Sequence, residues 1–113
     1  MAIKRGDIFW MELPRHVGSR IIHGLRPVIV VSNDVANHYS SIVCVVPVTK
    51  QNKKALPTHV LIDGYGLPGA STVLIEQVLT VDKEKLLEKI GTIAKTVKML
   101  EIERGIRIQL GVA

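Results

Sequence analysis

The stretch that decides the fold is Gly24-Leu25-Arg26-Pro27, which runs into Val28-Ile29-Val30-Val31. The uncharged run from Pro27 to Val31 predicts a buried strand. Proline restricts the residue before it to extended or turn conformations, so Arg26 cannot lie inside a helix. We therefore expect Arg26 at the mouth of a strand, where a rigid sheet holds its charge beside a mobile loop. A permanently charged, forked guanidinium in that place suits a phosphate oxyanion.

Apolar runs before and after this stretch predict further strands, separated by turn residues and polar segments. The polar run 50–54 is expected to be solvated, and the glycines between 64 and 69 mark a long turn. Residues 86–93 fit either a strand or a short helix, and we favour a strand. The remaining predicted strands span residues 8–13, 27–32, 42–48, 58–62 and 72–81.

Two helical segments complete the prediction. Asn33 and Asp34 can cap a short turn over Val35 to Tyr39. Residues 95–110 form the best helix, which Gly105 weakens. Its apolar stripe consists of Met99, Ile102, Ile106 and Leu110. Five or six strands and a terminal helix make a mostly β, α+β fold: a small, strongly bent sheet or barrel.

Length and composition bound the class of protein. The chain has 113 residues, so we expect one domain over 1–113. No apolar run approaches a membrane span, and the first residues lack the apolar core of a signal peptide. Cys44 is the only cysteine, which excludes an internal disulfide, and it is expected to be a small core residue rather than a nucleophile. These features predict a cytoplasmic protein without membrane contact.

The positive charge is concentrated in one half of the chain. Residues 1–60 carry eight Lys and Arg against three Asp and Glu, whereas residues 61–113 carry seven of each. The net excess of +5 therefore lies around the opening stretch. Clustered positive charge attracts polyanions, although a surface that serves only solubility would show the same excess.

Several classes of site are disfavoured by the motifs. The four histidines are scattered and lack metal-ligand spacing, so we expect neither a metal nor a cofactor. The glycine-rich turn is not followed by the Gly-Lys-Ser/Thr of a phosphate loop. The chain also lacks the Gly-x-Ser-x-Gly elbow of serine hydrolases.

What remains is a basic loop over 15–26, Arg26, and the hydroxyl of Thr49 at another strand end. Cleavage of nucleic acid without a metal is feasible when the substrate supplies its own nucleophile, as RNA does through its 2′-hydroxyl. Such a reaction needs a proton acceptor, a proton donor and positive charge on the phosphate. Arg26 suits the last role and is a poor general base. From residue type alone, Arg26 as a structural ion-pair partner and Thr49 as an ordinary strand-end threonine stay open.

Eight short motifs occur in order along the chain. They are Lys4-Arg5-Gly6-Asp7-Ile8-Phe9-Trp10, Gly24-x-Arg26-Pro27-Val28, Asn33-Asp34, Pro47-Val48-Thr49, Leu56-Pro57-Thr58-His59-Val60, Glu76-Gln77, Thr80-Val81-Asp82-Lys83 and Leu110-Gly111. Together they resemble the MazF/PemK/Kid family of toxins from toxin–antitoxin operons. The resemblance covers essentially the whole chain and is closest to MazF proteins of the Gram-positive type.

The resemblance implies a Src-homology-3-like barrel of the CcdB/PemK toxin type, working as a homodimer. It implies a ribosome-independent, sequence-specific endoribonuclease that cuts single-stranded mRNA without a metal and leaves a 2′,3′-cyclic or 3′-phosphate and a 5′-hydroxyl. A cognate MazE-like antitoxin would block the RNA groove with an extended acidic segment. The catalytic arginine of the family falls on Arg26 and its catalytic threonine on Thr49.

Further residues are expected along the substrate groove. Gln77 has the amide needed to read a base edge, although a buried strand amide is equally compatible. His23 is a candidate proton shuttle or a solvated loop histidine. The other groove candidates are Ser19, Arg20, Asn33, Thr58 and His59.

The sequence also departs from the family. Its loop carries Arg20-Ile21-Ile22-His23 where the family usually has Glu-Gln after Gly-Ser, so the RNA sequence preference cannot be transferred from relatives. Two other functions stay open: a gyrase-poisoning toxin of the CcdB kind, and a nucleic-acid-binding barrel without catalysis. The scarcity of aromatic residues weighs against the second.

Overall fold

The structure is a computed structural model that describes residues 2–50 and 55–113. Residues 51–54 of the polar run predicted as solvated lie outside the described residues. The strands are β1 (Asp7–Leu13), β2 (Gly24–Val30), β3 (Ile42–Thr49), β4 (His59–Ile62), β5 (Ser71–Leu74), β6 (Leu79–Asp82) and β7 (Lys89–Thr92). The helices are α1 (Asp34–Tyr39) and α2 (Val97–Leu110), with 3₁₀ turns at Ile75–Gln77 and Lys83–Lys85.

The strands form one bent antiparallel sheet in the order β4-β5-β3-β2-β1-β7. β6 pairs with the first half of β3, whereas β5 pairs with its end, so β3 joins the two parts of the sheet. This half-barrel with a C-terminal helix confirms the predicted mostly β fold. The strand favoured within residues 86–93 is also confirmed, as β7.

β2 begins earlier than predicted. It starts at Gly24 rather than Pro27, because Gly24, Leu25 and Arg26 pair with the end of β1. Arg26 therefore lies in the third position of a strand rather than in the loop before it. The ladder to β3 begins only at Val28, one residue after the proline, which fits the restriction of proline to strand starts and edges.

The single strand predicted over 72–81 is wrong. The chain leaves the sheet after Leu74, makes the 3₁₀ turn Ile75–Gln77, and re-enters as β6. The turn contains the two polar residues in the middle of the run, Glu76 and Gln77, and both use their side chains for tertiary hydrogen bonds. A strand would have pointed these neighbouring side chains to opposite faces of the sheet.

The core has two parts because strand side chains alternate between the faces of the sheet. One cluster lies beneath α2 and includes Ile8, Ile29, Val46, Val73, Ile75 and Ile102. The other lies on the opposite face and includes Phe9, Met11, Val28, Val30, Val43 and Val45. The hydrophobic burial of both clusters is the main stabilising contribution to the fold.

Helix α2 begins and ends with the expected caps. Thr96 Oγ1 accepts a hydrogen bond from the Met99 amide, and Gly111 ends the helix in the left-handed conformation. Met99 and Ile102 are buried as predicted, but Leu110 is 60% exposed, so its assignment to the apolar stripe is wrong. Buried Gly105 occupies the next contact position instead, where a side chain would meet Ile75.

Close backbone contact between two chain segments predicts a severe effect of Gly91→Ala. A Cβ at residue 91 would overlap the carbonyl oxygen of Tyr65, a backbone atom that cannot rotate away. We expect the substitution to lower the free energy of unfolding by about 1–3 kcal/mol, measured by chemical denaturation. Gly69→Ala is the matched control, since a Cβ there meets only the end of the Lys50 side chain. Equal stabilities of the two variants would contradict the prediction.

Candidate functional site

Arg26 and Thr49 lie on neighbouring strands. The β2–β3 ladder pairs Val28 with Pro47 and Ile29 with Val46. This ladder ends at Val28 and Pro47, and directly opposed residues of an antiparallel pair project from the same face. Arg26 and Thr49 each lie two residues from that pair along their own strands. Strand alternation therefore leads us to expect both on the face that carries Met11 and Val28.

The guanidinium of Arg26 is oriented by the loop. Its Nε donates a hydrogen bond to the His23 carbonyl oxygen at 3.0 Å, and the side chain is partly exposed. Within residues 2–50 and 55–113, none of the ion pairs involves Arg26. The alternative of a structural ion-pair partner thus finds no carboxylate in the described part of the chain. The terminal nitrogens can face an anion.

Thr49 is the last residue of β3, where the strand passes from β2 to β5. It is partly exposed and pairs with Thr72 in β5. Beside the strand ends lies a cavity of about 220 Å³, which both Arg26 and exposed Lys50 line. The half-buried indole of Trp10 also lines this cavity. Two cationic side chains thus line one cavity at the end of β3 at which Thr49 is the last strand residue.

The loop 14–23 crosses the same end of the sheet. Gln77 Oε1 accepts a hydrogen bond from the Ile22 amide at 2.7 Å, which ties the loop to the 3₁₀ turn. Beneath the loop is a cavity of about 300 Å³, lined mainly by apolar side chains. Pro47, His16, Glu76 and Gln77 also line it. Gln77 is thus a partly exposed residue of the 3₁₀ turn that lines the cavity beneath the loop, not a buried strand amide.

His59 and Thr58 face the interior more than expected of groove residues. Thr58 is 6% exposed. The His59 Nε2 atom lies 2.8 Å from Glu76 Oε2, and the His59 side chain is 11% exposed. Thr58 is thus buried, whereas His59 is held by Glu76 and lines a cavity of about 360 Å³ against α2. The assignment of both residues to substrate stays a prediction.

The remaining groove candidates occupy different places. Ser19, Arg20 and His23 are exposed in the loop, on the side of Arg26. Asn33 follows the opposite end of β2, on the order of 20 Å from Arg26 by strand geometry. Its side chain caps α1 by accepting a hydrogen bond from the Ala36 amide at 2.9 Å. Hydrogen bonds thus link the loop to Arg26 through His23 and to Gln77 through Ile22, whereas Asn33 lies beyond the other end of β2.

Three residues of this region are absent from the sequence-based candidates: Trp10, Lys50 and Glu76. Glu76 had one usable signal, because a polar pair in the middle of an apolar run requires partners. Trp10 and Lys50 had no such signal in the sequence, because their closeness to Arg26 depends on the strand register.

Two other chemical features concern metals and thiols. In the described ranges, no group of three His, Cys, Asp or Glu side chains is arranged to hold a metal ion. Burial raises the pKa of the Cys44 thiol, which disfavours the reactive thiolate. This agrees with the prediction of a structural cysteine.

Comparison with known proteins connects this geometry to a family. Residues 4–110 match the model of the "PemK-like, MazF-like toxin of type II toxin-antitoxin system". Endoribonuclease EndoA of Bacillus subtilis is 45% identical over 93 residues, which cover 80% of this chain and 79% of that protein. Endoribonuclease MazF of Staphylococcus epidermidis is 39% identical over 112 residues, covering 96% and 92%.

Solved structures of similar fold agree with the architecture. MazF from Deinococcus radiodurans superposes with a TM-score of 0.82 at 22% identity, covering 99% of both chains. An endoribonuclease in complex with its cognate antitoxin, from Mycobacterial species, gives a TM-score of 0.74 at 24% identity, covering 99% of this chain and 96% of that one.

The cap of α1 predicts that Asn33→Ala lowers the stability of the protein. Loss of the side-chain acceptor leaves the Ala36 amide without its partner, so we expect the free energy of unfolding to fall by about 1 kcal/mol. Asn33→Asp keeps a capping oxygen and should retain wild-type stability. Denaturant titration of the three proteins checks this, and an unchanged stability of Asn33→Ala would contradict it.

Proposed function

The chain belongs to the PemK-like, MazF-like family of toxins of type II toxin–antitoxin systems and is an endoribonuclease, and we propose that it cleaves single-stranded mRNA through Arg26 and Thr49. The observation that supports the proposal is the position of Arg26 and Thr49 on neighbouring strands, each two residues from the Val28–Pro47 pair. The arginine is free of a carboxylate partner among the described residues.

The proposed reaction is a transesterification within the RNA. The 2′-hydroxyl oxygen attacks the adjacent phosphorus and loses its proton to a base, while the bond from phosphorus to the 5′-oxygen breaks and that oxygen gains a proton. The products are a 2′,3′-cyclic phosphate, which water can open to a 3′-phosphate, and a free 5′-hydroxyl. Because the substrate supplies the nucleophile, the reaction needs no metal and no ribosome.

Arg26 stabilises the charge that develops on the phosphate. Its Nε is occupied by the His23 carbonyl, so the terminal nitrogens are the donors available to the phosphate oxygens. A guanidinium held in place before the substrate arrives pays little reorganisation energy in the transition state. Thr49 donates a hydrogen bond from its hydroxyl to a phosphate oxygen.

The proposed reaction also needs a group that accepts the proton of the 2′-hydroxyl. Arginine side chains are in general poor proton acceptors at neutral pH. His23, exposed and three residues away, is the candidate for proton transfer.

The loop and the surface below it would bind the RNA on both sides of the cleaved bond. Ser19 and Arg20 lie on the exposed loop, and Lys50 lies beside Arg26, so these side chains can neutralise neighbouring phosphates. Gln77 presents an amide at the cavity beneath the loop, where a splayed base can be read. Asn33, Thr58 and His59 are further substrate candidates, which rest on the family resemblance and not on closeness to Arg26.

The partners follow from the same family. A MazE–MazF complex of Deinococcus radiodurans has a TM-score of 0.75 and 22% identity to this chain. We propose that this chain works as a homodimer of single 1–113 domains and is inhibited by a MazE-like antitoxin. The excess positive charge of residues 1–60 would attract its extended acidic segment.

The proposed place of action is the cytoplasm, where the mRNA is. In the described ranges, no helix is long and apolar enough to cross a membrane.

The test is cleavage of single-stranded RNA by the purified protein in excess EDTA. We expect cleavage to leave cyclic phosphate ends, and Arg26→Ala to reduce kcat/KM by about 10²-fold or more. Thr49→Val, which is nearly isosteric, should reduce it by about tenfold, the usual effect of one hydrogen bond to a charged group. A 2′-deoxy substitution at the cleaved nucleotide should abolish the reaction.

Arg107→Ala is the matched control, since it removes an exposed arginine from the far end of α2. Full activity of Arg26→Ala, or no cleavage by the wild type, would overturn the proposal. Retention of RNA without cleavage would instead indicate a binding barrel, and loss of DNA supercoiling in a gyrase assay would indicate a CcdB-like toxin.

A further inference from the structure

His59 and Glu76 form a closely defined pair. His59 Nε2 lies 2.8 Å from Glu76 Oε2, and the two side chains are 11% and 24% exposed. The other ring nitrogen of His59, Nδ1, accepts a hydrogen bond from the Ala55 amide at 3.3 Å. A nitrogen that accepts carries no proton, so this geometry assigns the proton to Nε2, which donates to Glu76. The imidazole is thus fixed on both sides.

The carboxylate of Glu76 depends on this one hydrogen bond. Its second oxygen, Oε1, is buried and has no hydrogen-bond partner among residues 2–50 and 55–113. If His59 is removed, neither oxygen keeps a side-chain partner, and a buried charge without partners is costly. The residue must then turn toward water.

Ile75, the first residue of the 3₁₀ turn, is held too firmly to move together with Glu76. Ile75 is fully buried, and its amide donates to the Thr58 carbonyl oxygen at 3.2 Å. Gly105 of α2 packs directly against the Ile75 side chain. Since Ile75 is held from two sides, a displacement of Glu76 passes to the next residue, Gln77.

Gln77 in turn fastens the loop 14–23. Its Oε1 accepts from the Ile22 amide at 2.7 Å. Two other hydrogen bonds of the loop are internal, from the Ser19 amide to the His16 carbonyl and from the Ile21 amide to Ser19 Oγ. The bond between Ile22 and Gln77 therefore connects the end of the loop to the body of the protein.

We propose that His59 and Glu76 are positioning residues, which hold the 3₁₀ turn so that Gln77 keeps the loop 14–23 in place beside Arg26. The loop residue after Ile22 is His23, whose carbonyl oxygen accepts from Arg26 Nε at 3.0 Å. If the loop is no longer held at Ile22, the His23 carbonyl group that orients the Arg26 guanidinium can move as well. The consequence for RNA cleavage rests on the proposed function, whereas the consequence for the loop does not.

The first measurement follows the loop itself in the free protein. We expect His59→Leu to increase the hydrogen-exchange rate of the Ile22 amide about tenfold or more, since loss of a hydrogen bond worth about 1.4 kcal/mol has that effect. The amides of Ile8 and Val28, in the core strands, should keep their rates. His59→Gln, whose side-chain amide can still donate to Glu76, should restore most of the protection.

The matched control is Glu103→Gln, which weakens the ion pair between Arg5 and Glu103 on α2. That pair has a 2.6 Å distance and exposures of 30% and 29%, but lies away from the loop. Its loss should leave exchange of Ile22 unchanged. If His59→Leu does not fold, His59→Asn serves in its place, because its side chain is too short to reach Glu76.

The second measurement is RNA cleavage. Loss of positioning should lower kcat about tenfold and change KM by less than about twofold, because the catalytic groups are still present but misplaced. A residue that contacts RNA directly would instead raise KM and leave the exchange of Ile22 in the free protein as in the wild type.

Unchanged exchange of Ile22 in folded His59→Leu and His59→Asn overturns this proposal. If the exchange rises as expected but the wild type does not cleave RNA, the positioning role stands and the proposed function fails. The two proposals therefore fail separately.

Discussion

The antiparallel register between β2 and β3 is the constraint on which the rest of the structure depends. It pairs Val28 with Pro47 and buries the side chains of both strands on two faces. A slip of one residue would turn every side chain of β2 to the other face, which would expose core valines. Arg26 and Thr49 each lie two residues beyond the Val28–Pro47 pair, at the same end of these two strands. The energy that fixes the candidate site is therefore the energy of the core, since a shift of either functional residue would disturb hydrophobic burial.

The partial exposure of the strand ends also explains why a charged side chain and a hydroxyl side chain are tolerated there with little desolvation. Burial is complete from Pro27 to Val30 on β2 and falls at Arg26, and it falls again from Val48 to Thr49 on β3. The guanidinium keeps part of its hydration, while its backbone belongs to a rigid sheet. A site at a strand end thus combines the precision of the sheet with access to a ligand.

Part of this arrangement can be predicted from the sequence, and the reasons for the rest are physical. Apolar runs bounded by turn residues define β1, β2 and β3, and the motifs contain Arg26 and Thr49. The break at Ile75–Gln77 could not be recognised, because an apolar run with two polar residues fits a long strand as well as two short ones. What decides between them is the pairing of the polar side chains, Glu76 with His59 and Gln77 with Ile22, which are distant in sequence. The exposure of Leu110 could not be predicted either, because it depends on where α2 extends past the sheet that its earlier turns cover.

The charge of the loop 14–23 acts in a different way from its position. Its position is set by few contacts, chiefly the hydrogen bond between Ile22 and Gln77 and the one between His23 and Arg26. Its charge, in contrast, acts over distances of about 8 Å at physiological salt without any fixed geometry. Arg20 therefore adds attraction for phosphates whichever conformation the loop adopts. Attraction to the RNA backbone carries no sequence information, whereas contacts to bases depend on position. Under the proposed function, Arg20 would strengthen RNA binding in general, and sequence preference would come from groups held in place, such as Gln77.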